Sequence, residues 1–93
     1  MELRDRILTL LEERRQAGTP GMPTIGDVAE GLGERLKDVV MVLYSSEAIG
    51  LVAIHRYPGE EEKDCAVTLK RAAYIHLESQ LRQSRSLEGP PDG

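Results

Sequence analysis

The spacing of apolar residues changes at Gly50, and that change limits the fold of this chain more than any other feature. Before Gly50 the apolar positions recur at helical spacing, in three blocks. Leu3, Ile7, Leu10 and Leu11 form the stripe of an amphipathic helix over residues 2–17, whose eight charges cancel, four against four. The following stretch AGTPGMP, residues 17–23, holds two Gly and two Pro and reads as a loop. A second helix starts sharply after Pro23. Thr24 with Asp27 three residues on makes an approximate capping box, Ile25, Val28, Ala29 and Leu32 give the apolar face, and Gly31 and Gly33 close the helix. A third helix spans about Arg35 to Ala48, with Leu36 and the run VVMVLY (39–44), and Gly50 stops it.

Beyond Gly50 the period shortens. LVAIHRY (51–57) and DCAVTL (64–69) are two apolar runs flanking the charged Pro-Gly loop PGEEEK (58–63), the pattern of a β-hairpin with a loop longer than the tightest type. The expected register pairs Tyr57 with Asp64 and Arg56 with Cys65, so His55 faces away from Cys65. A fourth helix follows over about Lys70 to Gln83, with Ala73, Ile75, His76, Leu77 and Leu81 available for packing. Residues 84–93, SRSLEGPPDG, have the composition of a disordered tail. The expected organisation is one domain over residues 1–83, mainly α with a small β-hairpin (α+β), in the order helix, helix, helix, strand, strand, helix.

Composition removes several function classes. At 93 residues the chain has room for one modest core and little for a deep substrate cavity. A single Cys cannot make an intrachain disulfide, and no apolar run reaches the ~18 residues of a membrane span. The N-terminus mixes charges through its apolar positions, unlike a secretory signal peptide, so a cytoplasmic location is expected. His55, His76 and Cys65 lack metal-ligand spacing, and the acids Glu60, Glu61, Glu62 and Asp64 read as a solvated turn without the fixed geometry of a calcium loop. Neither a GxGxxG nor a P-loop is present. The residues therefore predict a protein without metal, cofactor or catalytic centre.

In this arrangement the segment TIGDVAEGLGERLKDVVMVLYSSEAIGLV (24–52) resembles the winged helix-turn-helix DNA-binding superfamily. Asp27, Val28, Ala29, Glu30, Leu32 and Gly33 match the close of that family's second helix. Val39 and Leu43 fall on the buried positions of its recognition helix, and Gly50, Leu51 and Val52 match its end. The hairpin stands where the family keeps its wing, and AVTLKRAAYIHL (66–77) looks like its closing strand and last helix. Two positions depart from the pattern. Ser46 replaces a buried aliphatic, which leaves Ile49 or Leu51 to fill that part of the core, and Leu36 lies where a small polar residue is common.

The resemblance implies a cytoplasmic transcription regulator that binds duplex DNA, with the third helix in the major groove and the wing on phosphate or in the minor groove. It also implies a homodimer through helices 2–17 and 70–83. Mapped onto this chain, the DNA-binding residues are Thr24 at a helix N-terminus, Arg35, Lys37, Met41 and Ser45 on the third helix, and Arg56 and Lys63 on the wing. The charges pull the other way. Net charge is −4, residues 24–50 carry five acids against two bases, and EEEK at the wing tip adds −2. Acidic side chains beside the backbone oppose the counterion release that drives DNA binding. The alternative expectation is a protein partner that meets an apolar face of Val40, Met41 and Tyr44 together with the acidic wing.

Overall fold

The computed structural model describes residues 2–18 and 20–87, with side chains through residue 79. Four helices and one hairpin follow in chain order: α1 (Leu3–Gln16), α2 (Ile25–Leu32), α3 (Leu36–Ala48), β1 (Val52–His55), β2 (Ala66–Leu69) and α4 (Arg71–Leu87). A single 3-10 turn, Glu62–Asp64, lies between the strands. None of the described helices is long and apolar enough to cross a membrane.

Local chemistry sets the helix boundaries. Thr24 accepts from the Asp27 backbone N–H at 3.1 Å, and the Asp27 carboxylate accepts from the Thr24 backbone N–H at 3.0 Å, so the expected capping box is formed. Gly33 ends α2 in the left-handed region, φ +66°, and the Glu34 N–H then reaches back to the Ala29 carbonyl at 3.0 Å. Gly50 does the same after α3 at φ +81°, and the Leu51 N–H bonds the Ser46 carbonyl at 2.9 Å. Both turns aim the chain into its next element, towards α3 and then β1.

The hairpin register runs from Val52↔Leu69 to His55↔Ala66, in step with the expected pairing of Arg56 with Cys65 just beyond the ladder. Alternation then divides the strands, with Val52, Ile54 and Val67 buried and His55 on the opposite face, where its ring nitrogen meets the Thr68 hydroxyl at 2.9 Å. The approach to α2 lies alongside β2 as a one-bridge third strand, Thr24↔Ala66. Its bonds are Val67 N–H to the Pro23 carbonyl at 2.8 Å and Ile25 N–H to the Cys65 carbonyl at 3.0 Å.

The core gathers Ile7, Leu8 and Leu11 of α1, Ile25 and Val28 of α2, Val39, Val40 and Leu43 of α3, Leu51, the strand residues and Ala73 of α4. Of the two residues expected to fill the core there, Leu51 is buried at 7% exposure, whereas Ile49 stands 58% exposed in the helix-ending turn. Ser46 itself is buried. Its hydroxyl donates to the Val42 carbonyl at 2.8 Å and accepts from Arg4 Nε at 3.2 Å, so a polar residue sits there without an orphaned atom. α4 continues to Leu87, four residues past the expected end at 83, and the remainder of the proposed tail, 88–93, lies outside the described residues.

Candidate nucleic-acid interface

Lys37, Met41 and Ser45 stand four residues apart along α3 and share one exposed stripe, with Arg35 at the N-cap position ahead of them. Met41 is 63% exposed. Among the described residues neither Arg35 nor Lys37 makes an ion pair, and Asp38 lies exposed beside them. This stripe therefore presents two free cations at the leading end of α3, followed by a thioether.

The other expected contacts are already engaged. Ser45 donates its hydroxyl to the Val42 carbonyl at 2.9 Å and accepts from Arg4 Nη2 at 2.8 Å. Thr24 spends its side chain and its backbone N–H on the capping box, and the Ile25 N–H is bonded to Cys65, so the phosphate contact expected at Thr24 would require opening the box. Lys63 Nζ lies 3.5 Å from the Glu61 carboxylate, with both side chains largely exposed. Val40 is 9% exposed and belongs to the core, which removes it from the apolar face expected for a protein partner. Val40 stands at the border of the buried side formed by Val39 and Leu43; Tyr44, one turn on, is 39% exposed and Met41 lies furthest round towards solvent.

Arg56 forms a cluster at the base of the wing. Its Nη1 and Nη2 donate to the two carboxylate oxygens of Glu47 at 3.0 and 2.9 Å, a bidentate fork. The guanidinium lies over the Tyr44 ring, 5.2 Å from its centroid, and the Tyr44 hydroxyl donates to the Glu62 carboxylate. The wing is thereby tied to the C-terminal half of α3 through Tyr44 and Glu47, one turn apart. Hydrogen bonds from Arg56 hold the Glu47 carboxyl below the usual carboxylate range, while the Glu62 carboxylate raises the Tyr44 phenol above its ordinary value.

Three features of this face have no local sequence signal. Arg4 reaches across from α1 to Ser45 and Ser46, 41 and 42 residues away in sequence. Arg6 ion-pairs with Glu34 at 2.7 Å and caps the Leu32 carbonyl at 3.1 Å, fixing the α2–α3 turn against α1. Gly26 brings α2 against the 3-10 turn, where an added Cβ would lie 3.1 Å from the Lys63 carbonyl oxygen. Among the described residues no group of three His, Cys, Asp or Glu side chains is placed to hold a metal ion. A surface groove of about 390 Å3 opens elsewhere, between α1, residues 20–23, β2 and Tyr74 of α4.

No family model and no curated protein matches the chain. Solved structures do. The complex of Staphylococcus aureus MepR with DNA superposes with TM-score 0.72 at 16% identity, over 95% of this chain and 62% of that one. BpsR of Bordetella bronchiseptica, whose DNA binding is regulated by 6-hydroxynicotinic acid, gives 0.68 at 17% identity over 95% of this chain and 59% of that one. Lactococcus lactis ZitR in its apo form gives 0.65 at 19% identity over 90% of this chain and 58% of that one. The chain thus spans about three fifths of the length of each. At these identities the likeness is one of fold, and with the observed order of helices and hairpin it shows that this chain has the winged helix-turn-helix fold.

Proposed function

We propose that the chain is a transcription regulator that binds duplex DNA by presenting α3 to the major groove, a binding protein rather than an enzyme. The observation that carries this reading is the exposed stripe on α3, where Arg35 and Lys37 make no ion pair among the described residues, at the end of the helix that would enter the groove. The superposition with MepR in its DNA complex supports the same use of the fold. Arg35 and Lys37 are suited to phosphate or guanine, and Met41 offers apolar contact to a thymine methyl. Arg56 and Lys63 would follow the flanking backbone from the wing. Two to four phosphate contacts correspond to a slope of log affinity on log salt of about −2 to −4. An acidic protein with so few free cations is expected to have low affinity for random duplex and to depend on base contacts.

The experiment is selection from a random duplex pool by the whole chain at two salt concentrations. Enrichment of one sequence, with retardation of that duplex lost in the Arg35→Ala/Lys37→Ala variant, is the expected result. A double variant that still retards it as wild type does would refute this use of α3. We further propose that the chain dimerises through α1 and α4. Support comes from α4, a 17-residue helix that carries Ile75 63% exposed on a molecule measuring 59 × 26 × 24 Å. Sedimentation equilibrium of wild type and Ile75→Glu tests this, and a monomeric wild type at micromolar concentration would reject it.

A further inference from the structure

We infer that Glu47 is an internal competitor of DNA phosphate for Arg56: it occupies the fork of the wing's arginine in the free protein and gives way to a backbone phosphate when duplex binds. The inference rests on the DNA-binding reading above and adds to it a residue that sets affinity without touching DNA.

The geometry is that of a stand-in. Glu47 takes hydrogens from both Nη atoms of Arg56 in a bidentate fork, the arrangement in which arginine also takes a phosphate, so the two acceptors exclude each other on that edge. Arg56 is the only arginine of the wing, and the acids Glu60, Glu61 and Glu62 leave it few cationic neighbours. The pair is accessible, with side-chain exposures of 50% for Arg56 and 32% for Glu47. A solvent-exposed ion pair contributes little net free energy, whereas a phosphate contact also releases a condensed counterion. Exchange therefore runs towards DNA.

The partners on either side suit an exchange. Stacking on Tyr44 keeps the guanidinium at the base of the wing after Glu47 lets go, and Glu62 fixes the Tyr44 hydroxyl. Glu47 is left with the Ile54 backbone and Lys70, both of which favour its ionised form.

The test is a double-mutant cycle on binding of the labelled duplex enriched in the selection above, across a salt series. Glu47→Gln is expected to tighten binding about three- to fivefold, the upper part of what an exposed ion pair is worth, with the salt slope nearly unchanged because Arg56 meets the same phosphate in both proteins. Arg56→Gln weakens binding, and adding Glu47→Gln to it changes affinity by less than about twofold, well inside the coupling that the cycle resolves. Glu47→Ala serves as a second probe, and the circular dichroism of each variant shows that it is folded. A gain from Glu47→Gln that is as large without Arg56 as with it would mean simple removal of negative charge and would overturn the inference. No gain in a wild type that does bind also overturns it while leaving the DNA reading in place. No duplex enriched or bound by wild type or any variant at low salt overturns both.

Discussion

Four arginines of this domain, Arg4, Arg6, Arg15 and Arg56, are held by acceptors within the chain, whereas Arg35 and Lys37 make no ion pair among the described residues. The held arginines also set the ionisation of their partners. Arg56 depresses the folded-state pKa of Glu47, so the stability this group contributes is present above the ordinary carboxylate value of about 4.3 and is lost as pH falls through the lower folded value. Urea midpoints taken between about pH 5 and pH 2 are expected to fall less for Glu47→Gln than for wild type. Tyr44 titrates in the opposite sense. Its raised value means that its contribution is present below about pH 10 and is lost as pH rises through the folded value. In a tyrosinate absorbance titration, Tyr44→Phe should remove the component that titrates highest; persistence of that component in the variant would show that Tyr44 is not held by Glu62.

At the scale of elements, turns and caps carry the fold between helices. Thr24→Ala removes one half of a reciprocal cap and is expected to cost about 1 kcal/mol, read from the urea midpoint at unchanged m-value. Gly50 meets nothing within 4 Å of an added Cβ, so Gly50→Ala isolates the backbone cost of φ +81°, about 1–2 kcal/mol. Most of this level was legible. Periodicity located the four helices, the Pro-Gly loop between apolar runs located the hairpin, and strand alternation determined its register, because each depends on residues close in sequence. The limits of elements were less legible. Strand β1 ends at His55 rather than Tyr57 and β2 begins at Ala66 rather than Asp64, since the chain from Glu62 to Asp64 closes a 3-10 turn that withdraws it from the ladder. α4 runs on to Leu87 through polar residues that composition alone assigns to a tail.

For the whole molecule, α1 is the element against which the others pack, touching α2, α3, β2 and α4. Leu8 is fully buried there, and Leu8→Ala is expected to remove about 2–5 kcal/mol, a large part of the roughly 5–14 kcal/mol that a domain of this length holds. Met41→Ala makes the contrast. With Met41 63% exposed, the change should leave the denaturation midpoint within about 0.5 kcal/mol of wild type while weakening retardation of the selected duplex. Long-range contacts at this scale reordered the candidate site. Arg4 claimed the Ser45 hydroxyl, Glu47 claimed Arg56 and the core claimed Val40, while the local capping box had already engaged Thr24.

By itself the sequence determined the order of elements, their caps and the hairpin register, and through them a winged-helix fold. Those features arise from interactions among residues a few positions apart, and they read directly from spacing and turn chemistry. Only the tertiary structure decided which polar groups are left for a partner. A hydrogen bond from Arg4 to Ser46 across 42 residues, or the choice of Leu51 over Ile49 to fill the core, depends on which surfaces meet after folding, and no local period encodes that. On the proposed DNA-facing side those internal pairings leave Arg35 and Lys37 without an ion pair among the described residues, and Arg56 held by Glu47.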